Sequence, residues 1–576
     1  MKSKKMLASL LAVSMVTSFA LTGCGDKKEE GKQNGENSNA SEEAKGEDAE
    51  QYLNVFLGNE PKTIDPAKST DSYSSDILNN VQDGLTRLVD DSSGKPVLEP
   101  ALAEKWEVSQ DNLKWTFHLR DAKWSDGQTI TAGDFEYGIK RVLDPKTASK
   151  YASLLTPILN ADEANKNKAS LDDVGVKALD DKTIEFTLKS PCPYFPNLTY
   201  FKVMEPQRKD IVEKHGDTYG TEADTMVYSG PFVIDEWVHN SKVELKKNES
   251  YWDKDKVKLD KVTMKVVAEK TARMQELSAG SVDMGAVDSP DWIKKFDATG
   301  EFDVLKGYAG DVTYNFFNQA DTYNGEKNIF QNKKVRQAWA LALDREKKIE
   351  VLRKGLGEPA YGQVPPMVMV GDKEFRSEVT DLPSKKLQKD NEGKEPKDLL
   401  IEGLKELGLD PDPSKYTVTY LESGTDATSK EYAEYEQQEI QEKLGITMKI
   451  DYIEWAVASE MISNQEYQVA GQAWIGDYND VNTFLDYWVS DVNMIPTGWK
   501  SEEYDKCLET TVNSNDPAER LKAFQRAEEI LVYEDTVVVP ECWRVKNTYI
   551  KKFIKGYNNP LFGTQNFKYV YSEGRK

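Results

Sequence analysis

The chain has 576 residues, with 75 Lys or Arg against 99 Asp or Glu, for a formal net charge of −24. So acidic a field repels polyphosphate and leaves no basic stripe, which excludes nucleic acid as a partner. Four cysteines without a Cys-x-x-Cys pair, and three histidines outside any cluster, give no zinc spacing, and no metal or other cofactor is expected. In chain order, a cationic start (Lys2, Lys4, Lys5) precedes an apolar run over residues 6–20 that is too short to span a bilayer, the pattern of a secretory signal. Residues 25–50 are almost wholly Gly, Lys, Glu, Asn, Ser, Asp and Ala, a composition that cannot bury enough apolar surface to order itself and reads as a tether. The remainder, roughly 525 residues, exceeds what one core serves and implies two or more lobes.

The spacing predicts a strand over 52–58, a turn at Ile64-Asp65-Pro66, and a helix over 74–84 with Ile77, Leu78 and Val81 inward and Gly84 as its stop. Residues 106–108 and 113–119 alternate as a hairpin, Ser125-Asp126-Gly127 is a turn, and Thr131 opens a helix through Phe135, Ile139 and Val142 that ends at Asp144-Pro145. Residues 333–353 read as one long amphipathic helix through Val335, Trp339, Leu343 and Ile349. Residues 520–533 give another helix and 536–539 a buried strand. The chain is therefore mixed α/β. Trp106, Trp115, Trp124 and Phe135 read as core, and Arg336 and Arg345 as surface or salt-bridged groups. With Cys24 set aside, Cys192, Cys507 and Cys542 allow at most one bridge, with Cys507 and Cys542 as a candidate pair.

Nothing in the sequence carries catalytic chemistry. His118, His215 and His239 sit in no recognised motif, and no nucleophile elbow, HExxH or P-loop occurs. The chain does not read as an enzyme, and a secreted hydrolase is the rival reading from another class.

Two resemblances add to this. Leu21-Thr22-Gly23-Cys24 resembles a bacterial lipobox, which implies cleavage after residue 23 and lipid on the thiol of Cys24. Ala103-Glu104-Lys105-Trp106, Trp115 to Arg120, Lys123-Trp124-Ser125-Asp126-Gly127 and Thr131-Ala132-Gly133-Asp134-Phe135 look like the signature block of the extracellular oligopeptide-binding proteins of ABC importers, solute-binding protein family 5. Ser229-Gly230-Pro231-Phe232, Phe317-Asn318, Val335-Arg336-Gln337-Ala338, Leu343-Asp344-Arg345, Pro540 and Gly556-Tyr557 follow in that family's order, so the likeness covers everything after the tether.

The resemblance implies a two-lobed periplasmic-binding-protein-like fold, type II of the peptide-binding cluster, closing like a hinge over its ligand. It divides the chain into a signal (1–23), a tether (24–50), a first lobe (51–83, 208–308 and 542–576), an inserted subdomain (84–207) and a second lobe (309–541). It implies a lipid-anchored monomer on the outer face of the cell membrane, in a Gram-positive bacterium, that hands extended oligopeptides to an ABC permease. Same-fold alternatives are a binder of nickel complexes, haem or oligosaccharides, or a peptide-pheromone receptor.

For the site, Trp474-Ile475-Gly476-Asp477-Tyr478 matches the family's Trp-x-x-Asp-Tyr motif, which makes Asp477 the partner of a peptide ammonium; without the resemblance Asp477 reads as a turn residue. Ala473 and Trp474 resemble the strand that offers backbone groups, Trp455 an aromatic lining a side-chain pocket, Tyr151 a tyrosine packing on the peptide from the subdomain, and Ser72 their counterpart on the first lobe. Trp455 and Tyr151 are also compatible with core packing. Gly471 and Ile462-Ser463 stand where enteric relatives carry cations for the peptide carboxylate, so that end is either held loosely, as in longer peptides, or met by other Lys or Arg residues.

Overall fold

The computed structural model describes residues 47–576 apart from 92–94, 426, 491–494, 560, 563 and 576. The signal, Cys24 and nearly all of the tether lie outside the described residues. Among the described residues no helix is long and apolar enough to cross a membrane.

Leu53, Val55 and Leu57 alternate onto one buried face, which makes Tyr52–Leu57 a strand. It pairs in parallel with Lys261–Val266, and the sheet continues antiparallel through Lys242–Lys247 and Phe232–Val238. Helix Ser72–Val81 buries Ile77, Leu78 and Val81 in the same core, and the Asp71 carboxylate caps it by accepting the Ser74 amide at 2.7 Å. The helix stops at Val81, short of the expected Gly84, because Gln82 turns its side chain to Ser229, whose hydroxyl donates to it at 2.6 Å. Gly84 serves instead for close approach, since a Cβ there would lie 2.6 Å from the Thr199 carbonyl oxygen.

A second sheet, antiparallel throughout, is formed by Ala103–Val108, Lys114–Leu119, Thr183–Thr187 and Val176–Asp180. Helix Ala132–Leu143 covers it, started by a reciprocal box between Thr131 and Asp134. Trp115, Trp124 and Phe135 fill this core, with Trp106 packed against its edge.

The largest sheet runs in the order Met284–Ala286, Val538–Lys551, Phe302–Phe317, Val469–Ile475, Thr417–Glu422, Thr447–Tyr452. Its two long members cross between cores. Residues 302–308 of the first crossing strand pair with 545–551 of the second, then the register slips, and 312–316 pair with 538–543. Ile550 lies in the core beneath strand Tyr52–Leu57, whereas Val312, Tyr314, Phe316 and Val538 lie in a separate core. At the slip Gly310 has φ +67°, and a Cβ there would meet the Leu561 carbonyl oxygen at 2.6 Å. Asp311, 1% exposed, pairs with Arg544 of the other crossing strand at this point.

Three expectations are corrected. Residues 333–353 are not one helix: Lys333–Ala342 ends at Leu343, and Asp344 caps a new turn, Arg345–Lys348, by accepting the Lys347 amide at 3.0 Å, followed by a π-turn over Ile349–Arg353. Arg336 and Arg345 are buried, not superficial, and spend their donors on backbone carbonyls, Asp535 O and Phe330 O for the first and Pro540 O for the second. Cys192, Cys507 and Cys542 are free thiols.

Candidate functional site

The strand Val469–Ile475 lines one cavity with Gly471, Gln472 and Ala473 and leads into Asp477, which lines another. Along one side it pairs with the first crossing strand from Asp311–Ile475 to Phe317–Val469, but on the other side Thr417–Glu422 covers it only at 469–471. Residues 472–475 therefore carry an open backbone edge, about 13 Å long at ~3.3 Å per residue. Ala473 and Ile475 are exposed along this stretch, while the Trp474 indole turns back into the second lobe, its ring tilted against Tyr487 at 4.4 Å and its N–H donating to the Thr483 carbonyl at 2.7 Å. Trp474 thus offers backbone, not its ring.

The turn after this strand is rigid. The Gly476 amide donates to the Gly310 carbonyl of the first crossing strand at 3.1 Å, and the rings of Phe484 and Phe562 stand 2.7 Å from where a Gly476 Cβ would be, so only glycine fits. The Asp477 amide donates to Thr483 Oγ1 at 3.1 Å, and buried Asp480 is held by Arg520 at 2.8 Å. Asn482 donates to Asp486 at 3.0 Å. Of these three carboxylates only Asp480 is paired with a cation.

Asp477 is the one turned to the cleft. Among the described residues its carboxylate meets no cation and accepts no hydrogen bond, and burial alone pushes it up to about 6. Asp486 rises to about 7, through burial first and then through the charges of Asp477 and Asp480. A half-buried carboxylate with no counter-charge, at the end of an unpaired strand edge, is a socket for a cation.

Asp477 lines a cavity of about 70 Å³ with residues of the other side of the cleft, among them Ser75, Tyr200, Lys202 and Glu205. Tyr151 is close by: its hydroxyl is pushed up by burial and then by the Asp477 charge, and its ring packs on Phe201 at 5.4 Å. The two sides touch here, where Tyr194 stacks on Tyr478 at 4.9 Å and Asn197 donates to the Asn479 carbonyl at 3.1 Å. Ser72 begins its helix as an exposed residue and lines neither this cavity nor the larger one around Trp455; Ser75, one turn on, lines this cavity.

That larger cavity, about 430 Å³, opens at the other end of the bordering strand, lined by Trp455, Gly471, Ala473, Tyr432, Arg353 and Arg544 among others. Trp455 is 52% exposed, which removes the core-packing alternative. Gly471 cannot carry a side chain, because a Cβ would lie 2.0 Å from the Tyr420 hydroxyl. The sequence reading missed Arg353, whose guanidinium stacks 4.6 Å over the Tyr432 ring with no carboxylate paired to it among the described residues. It sits in a π-turn where apolar spacing predicts the tail of a helix, so only its charge singles it out. Ile475, 56% exposed on the same face as Ala473, was missed as well.

Comparison with known proteins places this geometry. Residues 97–495 match the family described as bacterial extracellular solute-binding proteins, family 5 Middle. The chain is 36% identical over 545 residues to the dipeptide-binding protein DppE of Bacillus subtilis, covering 93% of each chain. It is 32% identical over 576 residues to the oligopeptide-binding protein OppA of the same organism, covering 98% of this chain and 99% of that one. The structure of Listeria monocytogenes OppA bound to peptide superposes with a TM-score of 0.69 at 29% identity, over 91% of this chain and 99% of that one. These relatives are binding proteins, not enzymes. With more than half its length matched to the family and its two-lobed α/β fold shared, the chain belongs to the bacterial extracellular solute-binding proteins of family 5.

Proposed function

We propose that this protein captures oligopeptides in extended conformation outside the cytoplasm, anchored by lipid at Cys24, and delivers them to an ABC permease. The observation that carries the reading is the unpartnered Asp477 carboxylate at the end of the open edge 472–475. An extended main chain adds to a strand edge whatever its side chains are, and an acid at one end fixes the α-ammonium and with it the register. Four residues of edge match the reach of a short peptide. The relatives' names, for dipeptide and oligopeptide binding, agree with this. In this reading Tyr151 packs over the peptide start, Ala473 and Trp474 give backbone groups, Trp455 lines the pocket further along, and Ser72 borders the opening. The proposed boundaries remain 51–83, 208–308 and 542–576 for the first lobe, 84–207 for the subdomain and 309–541 for the second lobe.

Arg353 answers the missing cations of the carboxylate end, since it faces the 430 Å³ cavity with aromatic support and no acid of its own. Calorimetry with a free peptide, its N-acetyl form and its C-terminal amide tests both ends. Acetylation should abolish binding, and amidation should weaken it about tenfold if Arg353 receives the carboxylate. Equal affinity of free and acetylated peptide would refute the peptide reading. Incorporation of labelled fatty acid, lost in Cys24→Ser, tests the anchor, and peptide uptake by cells lacking the protein tests delivery.

A further inference from the structure

Glu205 follows a short turn, Lys202–Met204, and lines the 70 Å³ cavity opposite Asp477. It is 4% exposed and its Oε2 has no hydrogen-bond partner. No ion pair reaches it among the described residues. A buried carboxyl without a partner is costly in a folded protein and needs a reason. Its charged neighbours do not pair with it: Lys202 donates to Ser75 at 2.9 Å, and Arg87 pairs with Asp83 at 2.6 Å.

Resting on the peptide reading above, we propose that the first side chain of a captured peptide enters the cavity between Asp477 and Glu205, and that Glu205 selects side chains carrying a neutral hydrogen-bonding group, an amide or a hydroxyl. Asp477 fixes the ammonium, so the side chain on the same Cα is the part of the ligand that enters the adjoining space. Leu78, Phe201 and Phe562 furnish apolar walls for its methylene. A second cation is disfavoured because the Lys202 ammonium lines the same cavity. Burial, only partly opposed by Lys202 and Arg87 and aided by Asp83, raises Glu205 well above the usual carboxylate range. The shift favours the protonated carboxyl, whose O–H donates while its carbonyl oxygen accepts.

The test is calorimetry of the full chain with pentapeptides that differ only in the first residue: Asn, its apolar near-isostere Leu, and Lys. The Asn-first peptide should bind at least tenfold more tightly than either, and in Glu205→Met the ratio of Asn-first to Leu-first affinity should fall to about one. Glu205→Gln, which keeps shape and both hydrogen-bonding functions, should retain most of the preference, and it serves if the Met variant does not fold. Equal binding of the Asn-first and Leu-first peptides to the unmodified protein, or tighter binding of the Lys-first peptide, overturns the proposal. If N-acetylation still abolishes binding in that case, the peptide reading stands while the selection fails. Indifference to acetylation would instead sink the reading itself.

Discussion

Asp477 shows what a single side chain contributes. Its folded value of about 6 lies above the ordinary 3.8, so between about pH 4 and 6 the folded protein holds a proton that the unfolded chain releases. That stabilisation is complete at low pH and is lost as pH rises through about 6. Asp477→Asn should therefore melt at or above the unmodified protein at pH 7, with the difference vanishing below about pH 4, while peptide affinity drops at least a hundredfold, equivalent to about 3 kcal/mol. A thermal scan and a titration on the same sample check both. In the unmodified protein, affinity should fall by up to tenfold per pH unit below about 6, as the carboxylate that meets the ammonium is neutralised. The position of Asp477 was legible from its Trp-x-x-Asp-Tyr setting. Its want of a partner was not, because that depends on Arg520, forty-three residues on, being committed to Asp480. Arg336 and Arg345 were misread for a related reason: the backbone carbonyls that satisfy them come from near 535 and 540, far along the chain.

Among the elements, periodicity located the strands at 52–57 and 114–119 and the helices at 72–81 and 132–143, but not where helices stop. The break at Leu343-Asp344 is invisible to apolar spacing, which continues in phase to Ile349; what ends one helix and starts the next is a side-chain cap. Asp344→Ala should cost about 1 kcal/mol, read as a lowered melting temperature with little effect on binding. Gly471 sets a stricter limit. Restoring a cation there by Gly471→Arg should fail, because even the first carbon collides with the Tyr420 hydroxyl. Gly471→Ala alone should destabilise by about 1–3 kcal/mol, and Tyr420→Ala in the same chain should relieve part of that.

For the molecule as a whole, the division into lobes could not be read from composition, since segments far apart in the chain pack together: strand 52–57 pairs with 261–266, and Gln565 donates to the Phe56 carbonyl. Only the likeness to a family conveyed it. The pair Asp311–Arg544 clamps both crossing strands where their register slips. Arg544→Met leaves Asp311 buried and alone and should cost about 3–5 kcal/mol, whereas adding Asp311→Asn should recover much of it; denaturant unfolding of the two single variants and the double variant measures the coupling. The hydrogen bond from Gly476 to Gly310 joins that crossing point to the residue beside Asp477. If Asp477 holds the cargo as proposed, cargo and pivot are one peptide unit apart, and swinging the lobes apart would tug directly on the group that holds it. Hydrogen exchange at the Gly476 amide should slow when peptide is added, and an unchanged rate would show that pivot and cargo move independently.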